Sequence, residues 1–272
     1  NGEYIRITPS VTYDSEENLK AFLNARFGLA YDPYSNKVKM QGDRITGRGG
    51  VSAFVYLDND GDREFSEGDE PIEGARVDSL QSTRFSLSDE DGLALITGLP
   101  TNRITDIVLN EFTLPDPFWI TASEGASVRP RPGNITRLEF PVHKSGEIDG
   151  TVYAMTSIGD KNTVKNVRLH LYTDEGELHE TSYAAFDGFY IFSRVPPGNY
   201  TLIVNAKDAE NQRFEPPPPK EITIGYEGTI IYGNDIIGKS DANGVGYTMA
   251  NLSDYMARHP NIDPEILRGS DI

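Results

Sequence analysis

The sequence contains no cysteine, so disulfide bonds, thiolate catalysis and cysteine metal sites are excluded. Basic residues are also few, with 25 Lys and Arg against 42 Asp and Glu, and the resulting formal net charge of -17 makes a nucleic acid an unfavourable partner. No apolar run is long enough for a membrane-spanning helix. No signal peptide is recognised, and we expect a mature chain or an excised fragment.

Patterns that are typical of enzymes are missing as well. No glycine-rich phosphate loop follows a strand, no nucleophile elbow is present, and no spacing of the carboxylates singles out an acid/base pair. His143, His170 and His179 lack the spacing of a zinc site. We therefore expect a protein that is not an enzyme.

What the sequence does contain favours an all-β fold. Its 26 glycines and 17 prolines, together with 14 tyrosines and 12 phenylalanines, describe short aromatic strands separated by many turns. A length of 272 residues exceeds one typical domain and suggests two.

An acidic stretch follows the strand-like run Val51–Leu57 and places oxygen-bearing residues at alternate positions. This spacing is typical of a calcium loop, because a Ca2+ ion takes about six to eight oxygen ligands. Arg63 stands where such a loop normally has a sharp-turn glycine, and the last acid is an aspartate. The alternative is a solvated acidic loop without metal. The expected metal ligands are Asp58, Asp60, Asp62, Glu64 through its carbonyl, Ser66 and Asp69.

An internal repeat organises residues 50 to 237. The segment Asp91-Gly92-Leu93 recurs as Asp187-Gly188-Phe189, and Leu99-Pro100 recurs as Val195-Pro196, both at an offset of 96 residues. The segment Ala75-Arg76-Val77 recurs as Val167-Arg168-Leu169 at an offset of 92. In each copy the Asp-Gly pair predicts a tight turn before a core strand. A repeat of this length indicates tandem sandwich domains.

The second copy resembles the carboxypeptidase regulatory-like, prealbumin-like sandwich, through the run from Phe186-Asp187-Gly188 to Pro197-Gly198-Asn199-Tyr200. The first copy, with its acidic loop followed by Glu70–Val77 and Asp91-Gly92, resembles the B-type repeat of bacterial surface adhesins. That resemblance implies calcium binding by the loop after the first strand, at Asp58, Asp60, Asp62 and Asp69. It implies fold more specifically than function.

The two ends of the chain differ from the repeat. Alternating runs around Ile5–Val11 and Ala21–Tyr31 predict a β-hairpin, either a soluble one or the last hairpin of an outer-membrane barrel. A turn is expected at Asp32–Asn36, and Gly47-Arg48-Gly49-Gly50 predicts a hinge. The predicted regions are an N-terminal hairpin at 1–49, Ig-like or prealbumin-like β-sandwiches at 50–142 and 146–238, and a partly helical tail at 239–272.

These features favour a non-catalytic, calcium-stiffened structural module at the bacterial cell surface or outside the cell. Partners are expected to be other proteins or copies of the chain itself, bound through open strand edges or the tail. Two alternatives remain open. One is a terminal region of an outer-membrane export or fibre-assembly protein, associated with that membrane through residues 1–49. The other is a carbohydrate-binding module that uses Trp119, although a single tryptophan in a sandwich is more often part of the core.

Overall fold

The computed structural model describes residues 5–13, 19–41, 47–240 and 257. Their regular structure is almost entirely β-strand, which confirms the all-β fold class. The chain divides into two compact units, Asn1–His143 and Lys144–Ile272. No described helix has the length and hydropathy needed to cross a membrane. Beyond Ser240, the predicted tail lies outside the described residues except for Ala257.

The first unit begins with two hairpins. Strands β1 (Arg6–Tyr13) and β2 (Leu19–Arg26) pair antiparallel, and so do β3 (Gly28–Asp32) and β4 (Lys37–Gln41). The run predicted as one arm is thus divided between β2 and β3 at Phe27. The turn predicted between Asp32 and Asn36 connects β3 to β4. The buried Asp32 carboxylate accepts a 2.6 Å hydrogen bond from the Ser52 hydroxyl, which fixes the second hairpin to the sandwich.

The first sandwich packs two sheets around an apolar core. The strands are β5 (Gly49–Leu57), β6 (Glu70–Pro71), β7 (Arg76–Ser79), β8 (Phe85–Leu87), β9 (Leu93–Leu99), β10 (Thr105–Asn110), β11 (Trp119–Thr121), β12 (Ala126–Val128) and β13 (Ile135–Lys144), with a 3-10 helix at Glu111–Thr113. One sheet has the order β12-β10-β7-β8; the other has the order β11-β13-β5-β6, with β9 also paired to β5. Trp119 is half-buried and packs against the core, the position that the sequence favoured for it.

The predicted glycine hinge is wrong for Gly49 and Gly50, which are buried at the start of β5. A Cβ atom on Gly49 would lie 2.6 Å from the Cβ of Pro130, and one on Gly50 would lie 2.7 Å from the carbonyl oxygen of Ile96. Glycine is required here because neighbouring backbone and side chains approach too closely for any side chain.

The second sandwich repeats this arrangement. Its elements are β14 (Gly146–Met155), β15 (Lys161–Thr163), β16 (Arg168–Thr173), β17 (Leu178–Tyr183), β18 (Phe189–Val195), β19 (Gly198–Val204), α1 (Ala206–Asn211), β20 (Phe214–Glu215), β21 (Lys220–Ile224), β22 (Ile230–Ile231) and β23 (Ile236–Ser240). One sheet has the order β17-β16-β19-β21, and the other has the order β15-β14-β23-β20, with β18 and β22 also paired to β14.

Matching backbone hydrogen bonds confirm the internal repeat. The carbonyl of Gly92 accepts from the amide of Val55 at 2.8 Å, and that of Gly188 accepts from the amide of Val152 at 2.9 Å. Both glycines have positive φ, 74° and 83°, as the Asp-Gly turn predicts. In both sandwiches the first strand also pairs parallel with the last, β5 with β13 and β14 with β23. The two sandwiches therefore share one topology.

Candidate metal centre

The acidic loop connects β5 to β6 in the first sandwich. These strands pair antiparallel with Leu57 opposite Glu70, so the two ends of the loop are held together. Asp58 and Asp69 therefore lie next to each other at its base, although eleven positions separate them in the sequence. This proximity follows directly from the strand pairing.

Three of the predicted ligands converge. Asp58, Asp60 and Asp69 each offer one carboxylate oxygen, and these oxygens all lie within 4.8 Å of one another. Asp58 is fully buried, Asp69 is half-buried and Asp60 is exposed. The Ser66 hydroxyl lies 3.4 Å from an oxygen of Asp60. We call Asp58, Asp60 and Asp69 the acidic triad.

The side-chain carboxylates of Asp62 and Glu64 lie outside the triad. The Asp62 carboxylate is exposed and accepts a 2.7 Å hydrogen bond from the amide of Glu64, so it stabilises a local turn. Within the described part of the chain, the acidic triad is the one group of three or more His, Asp or Glu residues with this proximity. Of the predicted ligands, the three triad carboxylates and the Ser66 hydroxyl thus lie together.

The triad carboxylates also shape the loop backbone. Asp58 accepts hydrogen bonds from the amides of Gly61 at 2.6 Å and Arg63 at 3.0 Å. Asp69 accepts from the amides of Asn59 and Ser66, both at 2.9 Å. A carboxylate has about four lone-pair positions, so each of these groups keeps sites for a cation after the amide bonds are made. The donor set, all oxygen and anionic, fits a hard divalent ion.

Arg63 adopts the conformation expected of glycine at its position. Its φ is 63°, in the left-handed region that costs an L-residue roughly 1–2 kcal/mol. Its carbonyl accepts a 2.8 Å hydrogen bond from the buried Tyr56 hydroxyl, while its amide is held by Asp58. The loop therefore makes the sharp turn without glycine, because contacts on both sides of the residue hold it in place.

An aromatic cluster anchors the outer part of the loop. The ring of Phe65 packs edge-on against Phe54, with centroids 4.9 Å apart, and against Tyr56, with centroids 5.4 Å apart. Tyr34, from the turn after β3, also packs against Phe54, with centroids 5.7 Å apart. Burial, followed by the nearby charges of Glu139 and Asp58, raises the pKa of the Tyr56 hydroxyl, which therefore remains a hydrogen-bond donor.

His143 is a part of this site that the sequence analysis missed. Its Nε2 lies 3.0 Å from Oδ2 of Asp58, and both side chains are buried. Burial by itself would raise the pKa of Asp58, but hydrogen bonds from His143, Gly61 and Arg63 outweigh it and lower the pKa below its ordinary 3.8. The Asp58 carboxylate is thus held in its anionic form.

The parallel pairing of β13 with β5 brings His143 to the loop. Val142 lies opposite Leu57, and the amide of Asp58 donates to the carbonyl of Val142 at 2.9 Å. Asp58, which follows Leu57, and His143, which follows Val142, therefore lie at the same end of the two strands. The only sequence signal is that both residues directly follow apolar strand runs, since 85 positions separate them.

The second sandwich makes the same connection without an acidic cluster. Between β14 and β15, the Thr156 amide donates to the Asp160 carbonyl at 2.9 Å and forms a tight turn. This turn contains one acid, Asp160, which is exposed. The shared topology does not depend on acids at this position, so the acidic triad is an additional feature of the first unit.

No protein-family model and no curated protein matches the chain. Among solved structures, the minor pilin GBS52 of Streptococcus agalactiae is 12% identical over 70% of this chain and 96% of its own, with a TM-score of 0.35. A streptococcal ancillary pilin is 13% identical over 73% of this chain and 65% of its own, with a TM-score of 0.32. The Bacillus anthracis TIE protein is 14% identical, with a TM-score of 0.30, and this chain covers 41% of it.

Proposed function

We propose that this chain is a non-catalytic structural module of an extracellular or cell-surface protein, and that calcium stiffens its first sandwich. The observation that carries the proposal is the convergence of Asp58, Asp60 and Asp69 within 4.8 Å at the base of one loop. The equivalent turn of the second sandwich has no such group among the described residues.

Electrostatics favours a cation at the acidic triad. Two like charges 4.8 Å apart repel each other by roughly 1 kcal/mol at the dielectric constant of water, and more where water is excluded. The three carboxylates form three such pairs, and two of these pairs include the buried Asp58. A divalent cation would turn this repulsion into attraction and link both ends of the loop.

The ligands would come from the triad and from Ser66, with water completing the coordination. Bound calcium would contribute only positive charge, and as a hard cation it prefers oxygen ligands. His143 would lie outside the coordination shell, donating to Asp58 and keeping its carboxylate in place. A site with this few protein ligands fits the weak extracellular class, with a Kd of about 10⁻⁴–10⁻³ M. The association of residues 1–49 with an outer membrane stays a prediction.

Calcium-dependent unfolding of the first unit tests the proposal. The sequence has a single tryptophan, Trp119, which lies in the first unit and reports its unfolding by fluorescence. At a calcium concentration a hundredfold above the Kd, we expect a stabilisation of about 2.7 kcal/mol, or roughly 10 °C in Tm, relative to the protein in chelator. Equal Tm values in calcium and in chelator would show that the acids are simply solvated.

Two exposed aspartates provide matched variants. Asp60→Asn removes a member of the acidic triad and should abolish most of the calcium-dependent shift. Asp62→Asn removes the same charge two positions later, outside the triad, and should keep most of it. If the two variants lose the shift equally, the loop attracts cations only by its total charge, and the site is not assigned correctly.

A further inference from the structure

The first hairpin is an amphipathic ribbon. We call β1 and β2 together the N-terminal ribbon. Its register pairs Ile7 with Ala25 and Tyr13 with Leu19, so odd-numbered residues of both strands share one face. The opposite face has polar side chains at Thr8, Ser10, Thr12, Lys20 and Asn24, with Phe22 as the exception. The apolar face consists of Ile7, Pro9, Val11, Tyr13, Leu19, Ala21, Leu23 and Ala25.

None of the described residues covers this apolar face. All eight of its residues are exposed, and Leu19 and Leu23 expose 70% and 71% of their surface. Among the described strands, β1 and β2 pair only with each other. An isolated two-stranded sheet is at best marginally stable in water, and it needs further strands or a packing partner. The ribbon therefore requires a cover for its apolar face.

The shape of the face suits a copy of itself. Along β2, the large residues Leu19 and Leu23 alternate with the small residues Ala21 and Ala25. Two such faces can interdigitate, leucine over alanine, when a second ribbon stacks on the first about a twofold axis. The face has no charged residue, so stacking brings no like charges together.

The area is sufficient for a specific but weak interface. Five larger side chains of the face are between 58% and 71% exposed. At roughly 100 Å2 for each, the face presents on the order of 500 Å2. Stacking two faces would bury roughly 1,000 Å2 in total, which is near the lower limit for a specific protein–protein contact. The area exposed by Ile7, Val11, Tyr13, Leu19 and Leu23 thus predicts a dimer with micromolar affinity.

Two other covers are less favourable. Proline has no amide hydrogen, so Pro9 interrupts the free edge of β1 and disfavours pairing of another strand along it. An anionic lipid surface would repel a chain whose net charge is -17. Two copies of the chain also repel each other through their net charge. In a stacked pair, however, only the ribbons need to come into contact, and salt screens the repulsion between the other parts of the two chains.

We propose that two copies of this chain associate by stacking the apolar faces of their N-terminal ribbons. The inference deepens the proposed structural role by naming a partner and the surface that binds it. It does not involve the acidic triad. If the chain still self-associates in chelator, the stacking proposal therefore holds even where the calcium proposal fails.

Neighbouring residues on opposite faces give the first test. Sedimentation equilibrium of the full chain should show a dimer with a Kd of roughly 1–100 µM, and higher salt should strengthen it. Leu23→Glu places a charge on the apolar face and should weaken the dimer at least about a hundredfold, since a charge is not buried without a partner. Asn24→Glu adds the same charge on the opposite face and should change the Kd by less than about threefold. A monomeric wild-type chain at roughly 100 µM would overturn the proposal, as would equal effects of the two variants.

Cross-linking gives a second test that does not depend on destabilising the ribbon. Because the chain has no cysteine, single cysteines can be introduced without background. A short bis-maleimide should link two copies of Ala21→Cys, on the apolar face, and not of Ser10→Cys, on the polar face. Equal linking of both variants would overturn the proposal. So would a chain that stays monomeric but binds phosphatidylcholine vesicles in a manner lost in Leu23→Glu, because lipid would then be the cover.

Discussion

Removing Asp58 tests whether this buried acid holds the loop together even without metal. In Asp58→Ala, the amides of Gly61 and Arg63 and the Nε2 of His143 lose their acceptor. Water can reach the two loop amides, so each should cost about 1 kcal/mol, whereas the buried imidazole should cost about 1–3 kcal/mol. Against this, the variant removes two of the three repulsive pairs of the acidic triad, worth roughly 1 kcal/mol each.

The balance predicts a net loss of about 2 kcal/mol in the free energy of unfolding of the first unit. The assay is urea unfolding in chelator, followed by Trp119 fluorescence, with the midpoint compared at an unchanged m-value. Asp60→Asn is the matched control. Asp60 is exposed and accepts only long hydrogen bonds, 3.2 Å from the Asp62 amide and 3.4 Å from the Ser66 hydroxyl. Its neutralisation also removes two of the three repulsive pairs, so it should leave stability unchanged or raise it by up to about 2 kcal/mol.

The two substitutions are thus expected to have different signs in the absence of calcium. If Asp58→Ala were as stable as the wild type, the hydrogen bonds of Asp58 would contribute no more than the repulsion that its removal relieves. If Asp60→Asn were destabilised as strongly as Asp58→Ala, repulsion within the triad could not be the dominant effect at the exposed member. Either result would refute the reasoning.

Two further predictions concern the same loop. Arg63→Gly should stabilise the first unit by roughly 0.5–1 kcal/mol, because glycine tolerates a φ of 63°. Arg63→Ala keeps the backbone strain and removes the charge, so it should not stabilise the unit. Equal urea midpoints for the two variants would show that backbone strain at this position does not limit stability. The pKa of Asp58 is lowered in the folded protein, so its contribution to stability is fully present above its ordinary pKa of 3.8 and is lost as the pH falls below it. Trp119-detected unfolding of Asp58→Asn should therefore depend less on pH below about 4 than that of the wild type, and an identical pH profile would contradict the assignment.

Local patterns in the sequence were sufficient for the fold class and the repeat. The Asp-Gly turns before β9 and β18 were predictable, because only a glycine accommodates their positive φ without strain. The base of the acidic loop was also predictable, since a connection between two adjacent strands brings its ends together. These features depend on neighbours in the sequence, which is where turn chemistry and alternation act.

Other features depend on close contacts between distant segments. Gly49 and Gly50 have the composition of a hinge, but packing against Pro130 and Ile96 makes them a tightly packed strand start. Periodicity alone placed no break between β2 and β3, because the alternation of side chains continues through Phe27. Local sequence patterns do not show which distant residues pack against a segment.

At the acidic loop, the available oxygen ligands could be named from the sequence, because their spacing is a local property. Which of them converge depends on tertiary contacts: the turn of Asp62 directs its carboxylate to the Glu64 amide, while Asp58, Asp60 and Asp69 meet. Likewise, the pairing of β5 with β13 brings His143 to Asp58 across 85 positions. Strand register depends on long-range packing, because the register determines which face of each strand is buried. A shift of one residue in the register would move His143 away from the loop.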